Sequence, residues 1–261
     1  MNSRKTVAAG QFYPENKTEL ERTLKKIFSE QKIEPRSSVV ISPHAGYAYS
    51  GRLAAKSVSK LKEASTVIIL GPNHTGLGAP ISISPHSTWI TPLGEIPVDL
   101  EKAEEIAKKI GELDYLAHIG EHSIEVILPF LQYRFKKFKI LPITLASNNL
   151  EELLELGKAL SKLKDVSLVA SGDFSHFVPL ATAREKDSEA IELIEKLKAE
   201  EFFQLVKENS LSICGVAPIT VAIEFAQRKG LTRAVALEYA SSADVTGDKS
   251  NVVGYASIEF K

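Results

Sequence analysis

Short apolar runs alternate with amphipathic stretches along the whole chain. The runs that predict strands cover residues 38–42, 66–70, 139–145, 166–170, 234–239 and 252–259. The stretches with helical spacing cover residues 18–30, 51–62, 100–110, 123–135, 150–163, 183–198, 201–208 and 218–228. Strands that alternate with helices in this way predict an α/β fold, in which a central, largely parallel or mixed sheet is flanked by helices.

Local signals mark some of the ends of these elements. Thr18 followed by Glu21 predicts a capping box at the start of the first helix, and Pro218 stands at a helix-opening position. The stretch 71–97 is predicted to be loop-rich. No Pro/Gly/Ser-rich linker, repeat or low-complexity tract divides the chain, and 261 residues fit one hydrophobic core, so we expect a single domain over residues 1–261.

Charge and hydropathy narrow the classes of partner. The chain has 32 basic and 33 acidic side chains and a formal net charge of −1, so no overall field draws it to nucleic acid or to anionic lipid. The longest apolar runs are far shorter than the roughly 20 residues that a membrane-spanning helix needs. We therefore expect a small-molecule or peptide ligand, no nucleic acid and no membrane, while the oligomeric state stays open.

The N-terminus and the cysteine content favour a cytoplasmic location. Polar residues and a proline interrupt the apolar positions behind the basic start of the chain, so a signal peptide is not expected. The single cysteine cannot form an internal disulfide, which suits a reducing compartment. Lys and Glu far outnumber Asn, Gln, Met and Cys, a balance typical of proteins from thermophiles.

Histidines follow three of the predicted strands. His44, His74 and His176 come shortly after the strands that end at residues 42, 70 and 170. Ligands of open α/β sheets bind outside the carboxyl ends of the strands, and a glycine in each loop permits a sharp bend. A single histidine in such a place is more often a surface or capping residue. Three at equivalent positions predict one shared pocket that binds a metal.

Two further residues are candidates for the same pocket. Cys214 precedes a predicted helix, whose dipole would favour a thiolate ligand or nucleophile; the alternative is a small buried hydrophobic residue. His122 is expected to open a helix, where a neighbouring glutamate could orient its ring, or to be a helix cap. His86 and His118 have no comparable setting and are expected to be ordinary surface or loop residues.

Taken together, the motifs around these residues resemble those of the Memo family. The matching segments are Pro43-His44-Ala45-Gly46-Tyr47, Gly71-Pro72-Asn73-His74, Glu121-His122-Ser123-Ile124-Glu125, Ser171-Gly172-Asp173-Phe174-Ser175-His176 and Ile213-Cys214-Gly215, and the resemblance begins at Ala9-Gly10-Gln11-Phe12-Tyr13-Pro14. That family is similar to class III extradiol dioxygenases, in which two histidines and a carboxylate hold a non-haem Fe(II). The resemblance therefore implies a class III extradiol dioxygenase-like fold.

The resemblance also implies roles for individual residues. His44 and His74 match the two histidine ligands, and Cys214 matches the third ligand of Memo-like proteins. His176 matches the acid/base histidine, with Asp173 beside it. The implied function is that of a metal-dependent oxidoreductase on an unknown small substrate, with iron as its cofactor. Because a thiolate ligand softens the site, copper and zinc are alternatives.

Two other functions remain open from the sequence. The first is a non-catalytic protein that binds a peptide or small ligand in the same cleft, with aromatic anchors at Tyr13, Tyr47, Tyr49 and Trp89. Aromatic residues of this kind are more often packed in the core or against loops. The second is metal-free catalysis in which Cys214 attacks and His176 or His122 is the base. In the metal-dependent hypothesis, His122 joins His176 and Asp173 in the catalytic set.

Overall fold

A computed structural model describes residues 2–261. Its strands are β1 (Ser3–Arg4), β2 (Val39–Ser42), β3 (Thr66–Pro72), β4 (Ile81–Ile83), β5 (Thr88–Thr91), β6 (Gly94–Pro97), β7 (Glu112–Leu113), β8 (Lys139–Leu145), β9 (Val166–Ser171), β10 (His176–Val178), β11 (Ala234–Ser241) and β12 (Val252–Phe260). Its α-helices are α1 (Lys17–Ser29), α2 (Tyr47–Lys60), α3 (Leu100–Ala107), α4 (Leu116–Ile119), α5 (Leu128–Arg134), α6 (Leu150–Leu160), α7 (Leu180–Glu195), α8 (Ala199–Glu208), α9 (Val216–Arg228) and α10 (Ala243–Thr246). A 3₁₀ turn, Glu125–Ile127, leads into α5.

The main sheet has nine strands and mixed direction. Its order is β10-β12-β2-β9-β3-β8-β4-β7, and β11 also pairs with β12. The four central strands, β2, β9, β3 and β8, are mutually parallel, whereas β12 and β4 run antiparallel to their neighbours in that block. The predicted fold class, an α/β domain with a mixed sheet and flanking helices, is confirmed.

Helices cover both faces of this sheet. All seven residues of β3 are buried, and because successive side chains of a strand point to opposite faces, the strand contributes to two cores. Ile68 and Leu70 pack in the core that includes residues of α3 and of α6 through α9. Val67 and Ile69 pack in the second core, against residues of α1, α2 and α5. Continuous burial of this kind explains why the central strands read as apolar runs.

The boundaries of several elements differ from the sequence-based prediction. The cap of α1 is Asn16, whose side chain accepts a hydrogen bond from the Glu19 backbone, so the predicted capping box at Thr18 is wrong. Helix α2 begins at Tyr47 and not at residue 51. The loop-rich stretch 71–97 contains β4, β5 and β6. The helix predicted over 123–135 is a 3₁₀ turn followed by α5, with Pro129 near its start.

The parallel strands bring three loops to one edge of the sheet. Residue Ser42 at the end of β2 pairs with Ser171 at the end of β9, and β9 lies between β2 and β3. The loops after these strands therefore leave the sheet side by side. Within residues 2–261, no helix is long and apolar enough to cross a bilayer.

Candidate metal centre

Three histidines meet at this edge of the sheet. His44 follows β2, His74 follows β3, and His122 lies in the loop between α4 and the 3₁₀ turn. One ring nitrogen from each can be chosen so that all three lie within 4.8 Å of one another. The ring centroids are 5.3 Å apart for His44 and His74, 5.5 Å for His44 and His122, and 4.7 Å for His74 and His122. This proximity makes the three rings a candidate metal-binding group.

The His122 loop, residues 121–125, reaches the site because Gly71, near the end of β3, has no side chain that would obstruct it. A Cβ added to Gly71 would overlap the side chains of Ser123 and Ile124. The Ser123 hydroxyl donates a hydrogen bond to the Pro72 carbonyl at 2.9 Å. Glycine at position 71 is thus required by a close approach, and the contact joins the His122 loop to the strand that precedes His74.

The hydrogen bonds of His44 identify its free ring nitrogen. Its Nδ1 lies 2.9 Å from the Ser171 hydroxyl, and that hydroxyl donates its own proton to the Ser123 carbonyl at 2.7 Å. Ser171 must therefore accept the proton of His44 Nδ1, which leaves Nε2 with a lone pair. That Nε2 lies 3.6 Å from the sulfur of Cys214. A metal-binding tautomer of His44 is fixed by the protein itself.

His74 is held in the same way by Glu121. The Nδ1–H donates to the Glu121 carboxylate at 2.9 Å, and the backbone N–H groups of His74 and Ser123 donate to it at 2.5 and 2.8 Å. Burial alone would raise the pKa of Glu121, but these hydrogen bonds and the His74 ring lower it to about 2. Because the ionised carboxylate bonds Nδ1 of His74, the Nε2 of that ring is free. The Glu121 carboxylate also lies 3.5 Å from Nδ1 of His122.

Burial keeps two of the three rings neutral. It lowers the pKa of His44 well below its ordinary value, and the neighbouring His74 and His122 lower it further. Burial also lowers the pKa of His122, against the opposing charge of Glu121. Because only a neutral imidazole can bind a metal, both rings are ready to bind at neutral pH without losing a proton.

Cys214 reaches the site through a second close approach of two backbones. A Cβ added to Gly172 would lie 2.6 Å from Cα of Gly215, so the loop after β9 and the turn before α9 touch directly. The Asp173 backbone N–H donates to the Cys214 sulfur at 3.2 Å. Burial raises the pKa of the Cys214 thiol well above its ordinary value, and the Asp173 carboxylate adds to the effect.

The raised thiol pKa corrects one expectation from the sequence. The helix that follows Cys214 was expected to favour a thiolate, whereas burial and the Asp173 carboxylate raise the thiol pKa and favour the protonated form in the metal-free protein. A protonated thiol is a poor nucleophile, which counts against the metal-free mechanism. A bound cation reverses this preference, because a coordinating thiol gives up its proton.

The Asp173 carboxylate contacts His44. One carboxylate oxygen accepts the His44 backbone N–H at 3.0 Å, and the other lies 3.9 Å from Nε2 of His44. Burial raises the pKa of Asp173 to about 6, and the hydrogen bond from the His44 backbone opposes part of that rise. The carboxyl can therefore exchange a proton near neutral pH.

His176 stands further out, at the first residue of β10. Its Nδ1–H donates to the Ser212 carbonyl at 2.8 Å, and its backbone N–H donates to the Ser212 hydroxyl at 2.8 Å. The ring is half-buried and its Nε2 is free to accept a proton. The three-histidine group does not include His176 or Cys214. The structure thus places His122, and not His176, next to His44 and His74, the first two predicted ligands.

Several residues outside the three-histidine group are buried. Of the two histidines expected to be surface or loop residues, His86 lies in the loop between β4 and β5 and His118 lies in α4, and they are 5% and 0% exposed. Of the proposed aromatic anchors, Tyr13, Tyr47 and Trp89 are 3%, 7% and 0% exposed, and Tyr49 alone among the four is exposed, at 42%. The alternative expectation for these aromatic residues, packing in the core, is confirmed for those three. Sequence reasoning missed Ser171 as the partner of His44, since serine at a strand end has no distinctive pattern.

The fold and the site define an α/β protein with a candidate histidine-rich metal site at the carboxyl edge of its sheet. The family of Memo-like proteins matches residues 4–259. A MEMO1 family protein of Methanosarcina acetivorans is 44% identical over 99% of both chains. Proteins of the same description from Aquifex aeolicus and Archaeoglobus fulgidus are 40% and 41% identical, over 100% and 97% of both chains. The chain belongs to the Memo-like family, as its motifs predicted.

Proposed function

We propose that this protein binds one transition-metal ion and acts as a dioxygenase-like oxidoreductase on a small substrate. The observation that carries the proposal is the convergence of Nε2 of His44 with the Cys214 sulfur, 3.6 Å away, and with the other two histidines. Ligand distances of about 2.05 Å for nitrogen and 2.3 Å for sulfur in a tetrahedral arrangement imply a separation of about 3.6 Å. The pair therefore fits a single ion between its two atoms.

We assign His44, His74 and Cys214 as the residues that would hold the ion, and His122 as a proton-transfer group beside them. Imidazole binds iron, copper and zinc, whereas a thiolate favours the softer ions. Iron is the proposed cofactor, and copper and zinc are the alternatives. When bound, the ion supplies Lewis acidity and, if it is iron or copper, one-electron chemistry.

The chain's own residues supply the proton transfers in this proposal. Asp173 holds or releases a proton near neutral pH because burial raises its pKa to about 6. His176, anchored through Ser212, accepts a proton at its free Nε2. His122 stacks on His74 with an interplanar angle of 23°, so its ring is fixed beside the ligands. These three groups are the proposed catalytic set.

Metal analysis of protein prepared without air tests the proposal. The wild type is expected to contain one ion per chain and the His44→Ala/His74→Ala variant almost none. Addition of nitric oxide, an analogue of O₂, to the Fe(II)-loaded wild type is expected to produce the electron-paramagnetic-resonance signal of an iron nitrosyl. Equal, near-zero metal in both proteins after loading would refute the assignment.

A second candidate is a non-catalytic protein that binds a small or peptide ligand. A cavity of about 570 Å³, partly lined by Phe12, Tyr47 and Arg52, favours it because the Phe12 ring also contacts His122. Ligand binding that persists in a folded variant lacking all four proposed pocket residues, His44, His74, His176 and Cys214, would support this function instead.

A further inference from the structure

His122 is the one histidine of the group that no strand of the central sheet delivers. His44 and His74 follow β2 and β3 directly, whereas the His122 loop lies between two short helical segments. A residue in a loop is not held in place by the backbone hydrogen bonds that pair neighbouring strands. The contacts that hold the His122 loop must therefore come from elsewhere in the chain.

Most of those contacts come from the N-terminal segment, residues 3–13. Glu125, at the end of the His122 loop, is fully buried. Its carboxylate accepts hydrogen bonds from the Val7 and Ala8 backbone at 2.8 and 2.9 Å and from the Tyr13 hydroxyl at 2.6 Å. The Arg4 guanidinium pairs with the same carboxylate. All four donors belong to the N-terminal segment.

Arg4 contacts the other end of the same loop as well. Its guanidinium also donates to the Glu121 carbonyl, and its Nε donates to the His118 carbonyl at 3.0 Å. Arg4 is itself 2% exposed, and the guanidinium lies 4.5 Å from the Trp89 ring centroid. One buried cation thus joins the first and the last residue of the His122 loop, which restrains the loop at both ends.

Phe12 contacts the imidazole itself. Its ring centroid is 4.5 Å from that of His122, with an interplanar angle of 35°. The Phe12 carbonyl accepts a hydrogen bond at 2.8 Å from the backbone of Tyr47, where α2 begins after the His44 loop. The N-terminal segment therefore touches the loops of two of the three clustered histidines.

We propose that the N-terminal segment positions His122 in the metal centre. Arg4, Phe12 and Tyr13 are positioning residues, since they act through Glu125 or the His122 ring and none supplies a ligand atom. The role of His122 beside a bound ion rests on the proposed function, but the placement of its ring does not. The segment is therefore part of the site although it contributes no strand to the sheet edge that carries the other two histidines.

Nitrogen-15 magnetic resonance of the six histidine rings in metal-free protein tests the placement directly. Tyr13→Phe removes one hydrogen bond to Glu125 without touching His122, and it is expected to shift the His122 ring signals. Tyr239→Phe is the matched control, because it removes a hydrogen bond of 2.7 Å to another buried carboxylate, that of Asp187. The control is expected to leave the His122 signals unchanged.

Glu125→Gln is the stronger variant, and Glu259→Gln is its control. Both glutamates are fully buried and paired with an arginine, but Glu259 pairs with Arg36 at the far end of the sheet. In Glu125→Gln we expect a larger shift of the His122 ring signals than in Tyr13→Phe, because the change affects the acceptor of all four donors at once. In Glu259→Gln we expect no shift of these signals.

The outcomes separate this inference from the proposed function. Unchanged His122 signals in Tyr13→Phe and in folded Glu125→Gln overturn the inference. If Glu125→Gln does not fold, Tyr13→Phe alone decides. A wild type that binds no Co(II) refutes the metal centre, and a His122 shift in the same protein would still support the positioning role. Equal shifts in the test and control variants also overturn the inference.

Discussion

The molecule contains two clusters of histidines, one at the edge of the sheet and one in the interior, and their hydrogen bonds give them opposite chemistry. In the metal centre, Nδ1 of His44 and of His74 is occupied by Ser171 and Glu121, and each Nε2 is free. In the second cluster, Nδ1 of His118 bonds the Thr144 hydroxyl at 3.0 Å and its Nε2 bonds the Ser82 hydroxyl at 3.1 Å. His118 has no nitrogen left for a ligand.

The second cluster is a packed interior. The rings of His86 and His118 are 6.3 Å apart and perpendicular, and the Trp89 ring is 5.7 Å from that of His118. Burial lowers the pKa of His118 to about 3, with a smaller contribution from His86. The comparison shows that the number of nearby imidazoles does not define a metal site. The direction and availability of their lone pairs do.

Removing histidines from either cluster should have the largest and most divergent effects. His44→Ala/His74→Ala is expected to lose essentially all bound metal, because two ligand nitrogens disappear. His118→Ala is expected to keep the metal and to lose about 2 to 4 kcal/mol of unfolding free energy, because packing is lost and two hydroxyls lose their partner. Metal analysis and denaturant unfolding of both variants check the pair. Metal loss in His118→Ala would contradict the comparison.

The pH dependence of metal affinity should identify the thiol as a ligand. The pKa of Cys214 is raised well above its ordinary value, so the thiol is protonated at neutral pH and must release its proton on binding. The affinity is therefore expected to rise about tenfold per pH unit below that pKa, and to fall as pH falls. His44 adds no proton release near neutral pH, since its pKa is lowered.

Cys214→Ser provides the matched measurement for that slope. The variant is expected to bind more weakly and to lose the tenfold rise per pH unit, because a serine hydroxyl remains protonated. Calorimetric titration at several pH values gives both results. An equal slope in the wild type and in the variant would mean that the released proton comes from another group.

Glu121→Gln should weaken metal binding by about 10- to 100-fold, the usual effect of removing a carboxylate that orients a ligand histidine. The carboxamide keeps the size of the side chain but loses the charge beside His74. Asp114→Asn is the control, because Asp114 bonds Ser82 in the second cluster at 3.2 Å. Binding constants for Co(II) check both variants, and equal losses would show that Glu121 has no special role.

Gly172→Ala should have the smallest effect on binding. Its Cβ would meet the Gly215 backbone, so the turn that carries Cys214 must move. We expect a loss of about 1 to 3 kcal/mol in unfolding free energy and a few-fold loss of metal affinity. Gly76→Ala is a useful contrast, since nothing lies within 4 Å of a Cβ there, although its φ of 68° adds strain. Unchanged affinity in Gly172→Ala would show that the turn tolerates the shift.

The sequence predicted the fold class because the central strands are buried on both sides and read as apolar runs. Strand β8 was placed with its exact ends, Lys139 and Leu145. The short strands β4 to β6 were missed, since strands of three or four residues leave little periodicity. The motifs predicted His44, His74 and Cys214 as ligands, and the three residues lie together at one edge of the sheet.

The geometry of the site depended on contacts that the sequence does not encode locally. His122 was expected to open a helix, yet it joins the other two histidines through the Gly71 and Ser123 contact and through the N-terminal segment. The burial of His86 and His118 likewise follows from packing against Trp89 and Arg4. Long-range contacts of this kind decide which histidines gather at the candidate metal centre and which pack in the core.

X-ray absorption of the metal-loaded protein tests the central claim most directly. If one ion is held by His44, His74 and Cys214, the spectrum will show one sulfur at about 2.3 Å and at least two imidazole nitrogens at about 2.0 to 2.2 Å, and the sulfur will vanish in Cys214→Ser. A spectrum of the wild type with no sulfur in the first coordination shell, or with nitrogens that persist in His44→Ala/His74→Ala, would contradict it.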